Sequence, residues 1–308
     1  MIETEDFLER HGFGSAVRTA LAGDASARRY ERLSGGPRPA ILMLCPPQIS
    51  AKPFLCVAKW LHRWRMSAPT IIAADAKIGR VLLEDLGDDL FSRVLAQGGD
   101  ERALYEAAVD LLVFLQRCPP PDGLPAYDDA WLLREAALLP EWYAPDAPAD
   151  AYRAIWEKLL PSARIGGDGF VYVDYHADNL LWLPAREGHA RIGLLDFQDA
   201  RIGPPAYDLV SLLEDARRDV PPDLAAAMVE RYLAARPDLE PKAFRAAYAL
   251  LGAQRNAKIL GLFSRLARRD GKPAYLALLP RVAGHLKRDL EHPLLAPLRA
   301  WCDRHLQL

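Results

Sequence analysis

The chain has 308 residues, of which 51% are hydrophobic and 26% charged, and its formal net charge is −2. This composition is typical of a soluble globular protein with room for two lobes. The near-neutral charge and the lack of a basic block argue against nucleic acid as a partner. No apolar run is long enough to span a membrane, and the acidic start is unlike a signal peptide, so we expect a cytoplasmic protein without membrane partners. We also expect it to be a monomer.

The first part of the chain predicts a small sheet with a covering helix. A short opening helix closes near Gly12, and an amphipathic helix is predicted over residues 53–66. Residues 23–33 are predicted to form a small-residue turn that leads into a strand, and further strands are predicted at residues 40–44, 70–74 and 80–83. We assign residues 1–87 to an N-terminal lobe built from these elements.

From residue 88 to residue 308 the patterns predict a mostly helical C-terminal lobe, which makes the fold class α+β. Apolar spacing predicts helices at residues 101–116, 129–143, 149–160 and 209–218. Large aromatic residues such as Trp131 and Trp156 could stack on a sugar ring. At helical spacing, however, such residues are more often part of a core.

Two acidic centres lie at the ends of short apolar runs between residues 170 and 208. A strand ends at Asp174, and residues 192–195 read as the return strand of a hairpin that leads to Asp196. We expect Asp196 to lie beside the loop that carries Asp174 and Asn179. In phosphoryl transfer a carboxylate meets the acceptor hydroxyl, while carboxylate and amide oxygens hold Mg²⁺ on the phosphates. These residue types suit that chemistry.

The order of these residues follows the kinase pattern, in which a catalytic Asp precedes a metal-binding Asn by five positions and a second Asp opens the next turn. The run Asp196-Phe197-Gln198-Asp199-Ala200, with Tyr207-Asp208-Leu209 after it, resembles the metal-binding segment of the aminoglycoside phosphotransferase-like kinases. The resemblance implies a protein-kinase-like two-lobe fold that uses ATP and Mg²⁺. It further implies catalysis by Asp174, metal binding by Asn179 and Asp196, and bracing of the catalytic loop by Asp208.

A finer resemblance spans nearly the whole chain. It rests on Gly-Asp-Ala-Ser-x-Arg-Arg-Tyr at residues 23–30, Leu-Glu-Asp-Leu-Gly-Asp at 83–88, Gln-Arg-Asn at 254–256 and Arg-Asp-Gly-Lys-Pro at 269–273. With these motifs the chain resembles the anomeric N-acetylmuramate/N-acetylglucosamine kinases of bacterial cell-wall recycling. That resemblance implies ATP-dependent phosphorylation of the anomeric hydroxyl to a sugar 1-phosphate.

Binding residues follow from the same resemblance. The nucleotide-binding candidates are Ser26, Arg28, Arg29, Glu84 and Leu86, and the acceptor-binding candidates are His176, Asp199 and Arg255. The chain departs from the pattern at two positions. Met43 stands where kinases have a phosphate-binding Lys, so Arg28 or Arg29 is our candidate for that role, and Tyr172 stands where the family usually has His.

Three other interpretations stay open from the sequence. An aminoglycoside or other small-alcohol kinase would share the catalytic residues and differ in its acceptor site, where a polycation favours acids and N-acetylmuramate, with its lactyl carboxylate, favours Arg. An ATP-binding pseudokinase is favoured by Met43 and Tyr172. A hydrolase with Asp174 and Asp196 as its carboxylate pair is the least favoured, because it would not need Asn179.

Overall fold

The structure is a computed structural model that describes residues 2–21 and 27–306. The chain forms two compact units. The smaller unit comprises Met1–Gln97 and Asp178–Asp199, and the larger unit comprises Gly98–Ala177 and Ala200–Leu308. The lobe limits predicted from the sequence are residues 1–87 and 88–308, and in the structure the chain returns to the smaller unit for a second segment, Asp178–Asp199.

The helices and strands follow one another along the chain without long gaps. They are α1 (Ile2–Arg10), β1 (Val17–Ala20), β2 (Arg29–Ser34), β3 (Ala40–Leu44), α2 (Lys52–Arg63), β4 (Ile71–Asp75), β5 (Arg80–Glu84), α3 (Phe91–Ala96), α4 (Glu101–Arg117), α5 (Asp129–Ala136), α6 (Ala149–Leu159), β6 (Gly169–Val171), β7 (Leu180–Trp182), β8 (Ile192–Leu194), β9 (Arg201–Gly203), α7 (Ala206–Leu213), α8 (Pro222–Ala235), α9 (Pro241–Arg268), α10 (Leu279–Asp289) and α11 (Ala296–His305).

The smaller unit is built on an antiparallel sheet of five strands in the order β1-β2-β3-β5-β4. Apolar side chains of β2, β3 and β5 pack with Phe7 and Leu8 of α1 and with Phe13. Helix α2 buries Phe54, Val57 and other residues of its apolar stripe. The predicted strands and the covering helix of this unit are confirmed, and β1 is an addition that the sequence did not predict.

The second segment of the smaller unit is the hairpin of β7 and β8. Its register pairs Leu180 with Leu194 and Leu181 with Gly193. A Cβ on Gly193 would lie 2.9 Å from the Leu181 Cβ, so only glycine allows this close approach. The hairpin predicted from the apolar runs is therefore present, and its two ends carry Asn179 and Asp196.

The larger unit is organised around α9, which is buried along most of its length. Helix α7 is buried on all sides, α10 and the Leu139–Tyr143 turn also contact α9, and the short antiparallel pair of β6 and β9 belongs to the same unit. None of the described helices is both long enough and apolar enough to cross a membrane. With the sheet confined to one unit and helices dominating the other, the predicted α+β class is confirmed.

Three predicted elements end earlier than the sequence suggested. Helix α5 stops at Ala136, and a separate π-helical turn follows at Leu139–Tyr143. Helix α7 ends at Leu213, before Glu214 leaves helical geometry. The strand predicted to reach residue 173 stops at Val171, because the next two backbone N–H groups bind a side chain instead of a neighbouring strand.

Candidate active site

The β7–β8 hairpin brings Asn179 and Asp196 together in the smaller unit. The Leu195 N–H donates to the Asn179 carbonyl oxygen at 3.0 Å, which places Asp196 next to this pairing. Both residues are half-buried, and Asp196 has a φ of 61°, a left-handed conformation that is unusual for a residue other than glycine. This strained backbone conformation turns the chain at Asp196, the residue that carries the carboxylate.

Gln198 holds the Asp196 carboxylate in one orientation. Its side-chain amide donates to Asp196 Oδ1 at 2.6 Å and to Asp199 Oδ2 at 3.3 Å. The intervening Phe197 is buried and stacks on Phe54 with ring centroids 4.8 Å apart, which anchors the segment to α2. The carboxylate of Asp196 and the amide oxygen of Asn179 are hard ligands, so this donor set fits Mg²⁺, which binds few protein oxygens and completes its shell with phosphates and water.

Tyr30 of β2 and Arg28, which directly precedes this strand, belong to the surroundings of Asp196. Burial raises the pKa of Tyr30, and the charges of Asp196 and Asp199 raise it further, while the Arg28 guanidinium lowers it. These four groups are therefore electrostatic neighbours within the smaller unit. Arg29 begins β2 and is exposed, and Ser26 lies outside the described residues.

The predicted nucleotide-binding segment after β5 is tied down by ion pairs. Burial raises the pKa of Glu84, but hydrogen bonds from Thr70 and the charge of Arg186 outweigh burial, so its pKa lies below the usual value. Arg32 binds Asp85 and Asp88 at 2.7 Å each. Leu86 lies between Asp85 and Asp88 in the sequence, and its side chain is half-buried. The carboxylates of Glu84, Asp85 and Asp88 are thus engaged in ion pairs, and the prediction that Glu84 and Leu86 bind the nucleotide stays a prediction.

Asp208 on α7 supports the loop that carries Asp174. It is fully buried and accepts the Tyr172 N–H at 2.6 Å and the Val173 N–H at 2.8 Å. Val173 has a φ of 78°, which is strained for a β-branched residue and is held by these two bonds. Burial raises the pKa of Asp208 to about 7, the two N–H donors oppose this rise, and the charge of Asp174 adds to it.

Helix α9 presents two cations one turn apart to these acids. The charge of Arg255, which is buried, lowers the pKa of Asp208. Burial lowers the pKa of Lys258, but the charges of Glu135, Tyr207 and Asp174 outweigh burial, and its pKa lies above the usual value. Arg255 and Lys258 therefore offset the negative charge around Asp208 and Asp174.

The rest of the loop that carries Asp174 is fixed by buried contacts in the larger unit. The Tyr175 hydroxyl donates to the Ala108 carbonyl oxygen at 2.8 Å, and the Ala177 N–H donates to Asp215 Oδ2 at 3.3 Å. His176 lies between these two anchors and is buried. The loop geometry thus depends on residues from α4 and from the segment after α7.

The predicted site residues fall into two groups. The smaller unit holds Arg28, Asn179, Asp196 and Asp199, and the larger unit holds Asp174, His176, Asp208 and Arg255. Sequence reasoning missed Tyr30, Glu135 and Lys258. The spacing of three residues between Arg255 and Lys258 places both on one helix face and could have identified Lys258.

Comparisons with known proteins find strong similarity over most of the chain. The family described as "Phosphotransferase enzyme family" matches residues 17–244. Proteins named N-acetylmuramate/N-acetylglucosamine kinase are 41% identical in Caulobacter vibrioides, over 97% of this chain and 95% of that protein, and 36% identical in Pseudomonas putida, over 91% and 86%.

Solved structures share the fold at low sequence identity. The choline kinase LicA from Streptococcus pneumoniae is 12% identical with a TM-score of 0.66, over 94% of this chain and 100% of that one. The GDP complex of aminoglycoside 2'-phosphotransferase-IIIa is 15% identical with a TM-score of 0.67, over 92% and 98%. These similarities confirm the predicted kinase-like fold.

Proposed function

Because the chain belongs to the phosphotransferase enzyme family, we propose that it transfers the γ-phosphoryl group of ATP to the anomeric hydroxyl of N-acetylmuramate and N-acetylglucosamine. The products are ADP and a sugar 1-phosphate. The observation that carries the proposal is the 34–41% identity, over 90% or more of this chain, to proteins named for these two sugars. Within the smaller unit, the backbone pairing that places Asp196 next to Asn179 supports the same chemistry.

Asp174 is the group that orients the acceptor hydroxyl and accepts its proton. A general base must be held firmly in one position, and Asp208 supplies that support through the Tyr172 and Val173 N–H groups. The charge of Asp174 helps to raise the pKa of Lys258, so this buried cation keeps its charge beside the proposed base. No covalent phosphoenzyme is needed in this scheme.

Asn179 and Asp196 are the ligands that would hold Mg²⁺, which supplies neutralisation of the phosphate charge. Gln198 keeps the Asp196 carboxylate oriented for this role. Arg28 is the candidate for the phosphate-binding cation, because it shares the surroundings of Tyr30 with Asp196. Met43, which stands at the usual lysine position, is fully buried in β3 and cannot serve.

The residues at the predicted acceptor site are consistent with a sugar as well. Asp199 is exposed next to the Asp196 segment and can bind a hydroxyl, whereas His176 and Arg255 are buried in the larger unit. We further propose that the enzyme is a monomer and acts in the cytoplasm, where ATP is available.

The decisive experiment is ADP release from Mg-ATP with N-acetylmuramate, N-acetylglucosamine, kanamycin, choline and homoserine offered separately. Turnover is expected with the two N-acetyl sugars, and an acid-labile product would identify the anomeric phosphate. Asp174→Asn should reduce kcat by about 100-fold or more through loss of the general base. Asp223→Asn, an exposed substitution on α8, is the matched control and should leave kcat unchanged.

The other outcomes distinguish the remaining interpretations. Turnover with kanamycin alone would assign the protein to aminoglycoside modification. ATP binding without ADP release on any acceptor would support the pseudokinase interpretation and refute ours.

A further inference from the structure

Trp131 at the start of α5 carries two guanidinium groups on its ring. The Arg201 Cζ lies 3.5 Å from the ring centroid and the Arg134 Cζ lies 4.4 Å from it. We call these three residues the Trp131 cluster. At 3.5 Å there is no room for a sugar ring between Arg201 and the indole, so that face of Trp131 is not a stacking platform.

The cluster lacks a counter-charge among the described residues. Other arginines of the larger unit pair with carboxylates, including Arg164, Arg218, Arg231, Arg236 and Arg281. In the part of the chain that the structure describes, neither Arg134 nor Arg201 has a carboxylate within ion-pair distance, and the polar contact of Arg201 is a 3.3 Å bond to the Ala126 carbonyl oxygen. Two cations on one ring repel each other, and an anion beside them would relieve this repulsion.

The carboxylate that contacts the cluster, Glu135, binds Trp131 and two other groups. It accepts the Tyr127 hydroxyl at 2.6 Å, the Trp131 Nε1–H at 3.1 Å and the Lys258 ammonium at 2.8 Å. These three donors engage both carboxylate oxygens, and the bond from Nε1 fixes the indole. The positive charge of the cluster therefore remains available to a ligand.

The same contacts link the cluster to the proposed catalytic base. The Trp131 Nε1–H donates to Glu135, and Glu135 forms an ion pair with Lys258. Strand β9 also pairs Arg201 with Val171 of β6, three residues before Asp174. All of these residues belong to the larger unit. An anionic group bound by the cluster would therefore belong to a molecule near Asp174.

We propose that Arg201, oriented by the Trp131 ring and assisted by Arg134, binds the lactyl carboxylate of N-acetylmuramate. This inference rests on the proposed sugar kinase function. The carboxylate is the one charged group that N-acetylmuramate has and N-acetylglucosamine lacks, and a guanidinium binds such a group through two parallel hydrogen bonds. Arg201 and Arg134 are thus specificity residues that act on one of the two sugars.

The test compares kcat/KM for both sugars in Arg201→Gln and Arg134→Gln. Loss of a charge-assisted contact should lower kcat/KM for N-acetylmuramate by about 10- to 100-fold in Arg201→Gln, and by a smaller factor in Arg134→Gln. The value for N-acetylglucosamine should stay within about twofold, because that sugar offers no carboxylate. Arg201→Lys keeps the charge but loses the forked geometry, so its loss should be intermediate.

Arg268→Gln is the matched control, since Arg268 is an exposed arginine on α9 that bonds the Trp142 carbonyl oxygen at 2.8 Å. This substitution should leave kcat/KM unchanged for both sugars. Equal losses for both sugars, or no loss for either, would overturn the inference while the wild-type turnover still upheld the proposed function. If the wild-type enzyme phosphorylates neither sugar, the proposed function itself falls. Should Arg201→Gln fail to fold, Arg201→Lys and Arg134→Gln decide the question by the same ratio.

Discussion

Replacing Gly261 by alanine should destabilise the protein, although alanine is normally the better residue in a helix. Gly261 lies on α9 one turn after Lys258, and a Cβ built on it would be 2.1 Å from the Leu138 carbonyl oxygen and 2.2 Å from the carbonyl carbon. These are backbone atoms, so no side-chain rotation can relieve the clash. The helix and the segment after α5 must separate by about 1 Å to reach ordinary contact distance.

The magnitude follows from two opposing effects. Overpacking against backbone costs about 3 kcal/mol, at the upper end of the usual range. Alanine returns about 1 kcal/mol of helix propensity, so we expect a net loss of about 2 kcal/mol in the free energy of unfolding. Separation of the two segments should also lengthen the 2.8 Å bond between Lys258 and Glu135, because Glu135 precedes Leu138 by one turn. The kcat of Gly261→Ala should therefore fall together with its stability.

Urea unfolding of Gly261→Ala and of Gly284→Ala provides the assay. Gly284 lies on α10, and a Cβ there would meet its nearest atom, Arg288 Nη1, at 3.9 Å. That control should gain about 0.5–1 kcal/mol, so the two variants should differ by about 3 kcal/mol. Gly261→Ala with wild-type stability and wild-type kcat would refute the claim that close packing against Leu138 positions α9.

Two further predictions concern buried ionisable groups. Asp208→Asn leaves the Tyr172 or Val173 N–H without an acceptor, so stability should fall by about 1–3 kcal/mol and kcat should fall more than the KM for ATP rises; unchanged kinetics would show that the loop needs no support from Asp208. Burial and the neighbouring Arg288 lower the pKa of His285 from 6.5 to about 4. Between pH 6.5 and 4 the imidazole of His285 is protonated in the unfolded chain but neutral in the folded protein. The free energy of unfolding therefore has its full value above about pH 6.5 and declines by up to about 3 kcal/mol as the pH falls to 4. Urea unfolding across this range should give a flatter profile for His285→Gln, and parallel profiles would contradict the assignment.

The order of chemically distinctive residues was readable from the sequence because it depends on short-range rules. Apolar runs bounded by turn residues predicted the β7–β8 hairpin. Hairpin geometry alone brings Asn179, which precedes β7, close to Asp196, which follows β8. The helical spacing of apolar residues likewise predicted α2 and α4 within a few residues of their observed limits.

Where a strand or helix ended was less predictable, because tertiary contacts decide it. The strand before Asp174 stops early because a carboxylate from α7, 35 residues further along the chain, accepts the Val173 N–H. No pattern local to residues 170–174 signals that Asp208 will be there. The break after α5 similarly reflects the packing of Leu138 against Gly261 on α9.

What the sequence alone determined is the identity of the groups that could do the chemistry, since carboxylate, amide and guanidinium side chains in this order indicate phosphoryl transfer. What only the tertiary structure decided is the electrostatic environment of these groups. Lys258 was one charge among many on a long helix until the fold placed it against Glu135 and near Asp174, and Arg201 was one arginine in a short strand until it was stacked on Trp131. Charges interact through space, and residues distant in the sequence become neighbours only when the chain has folded.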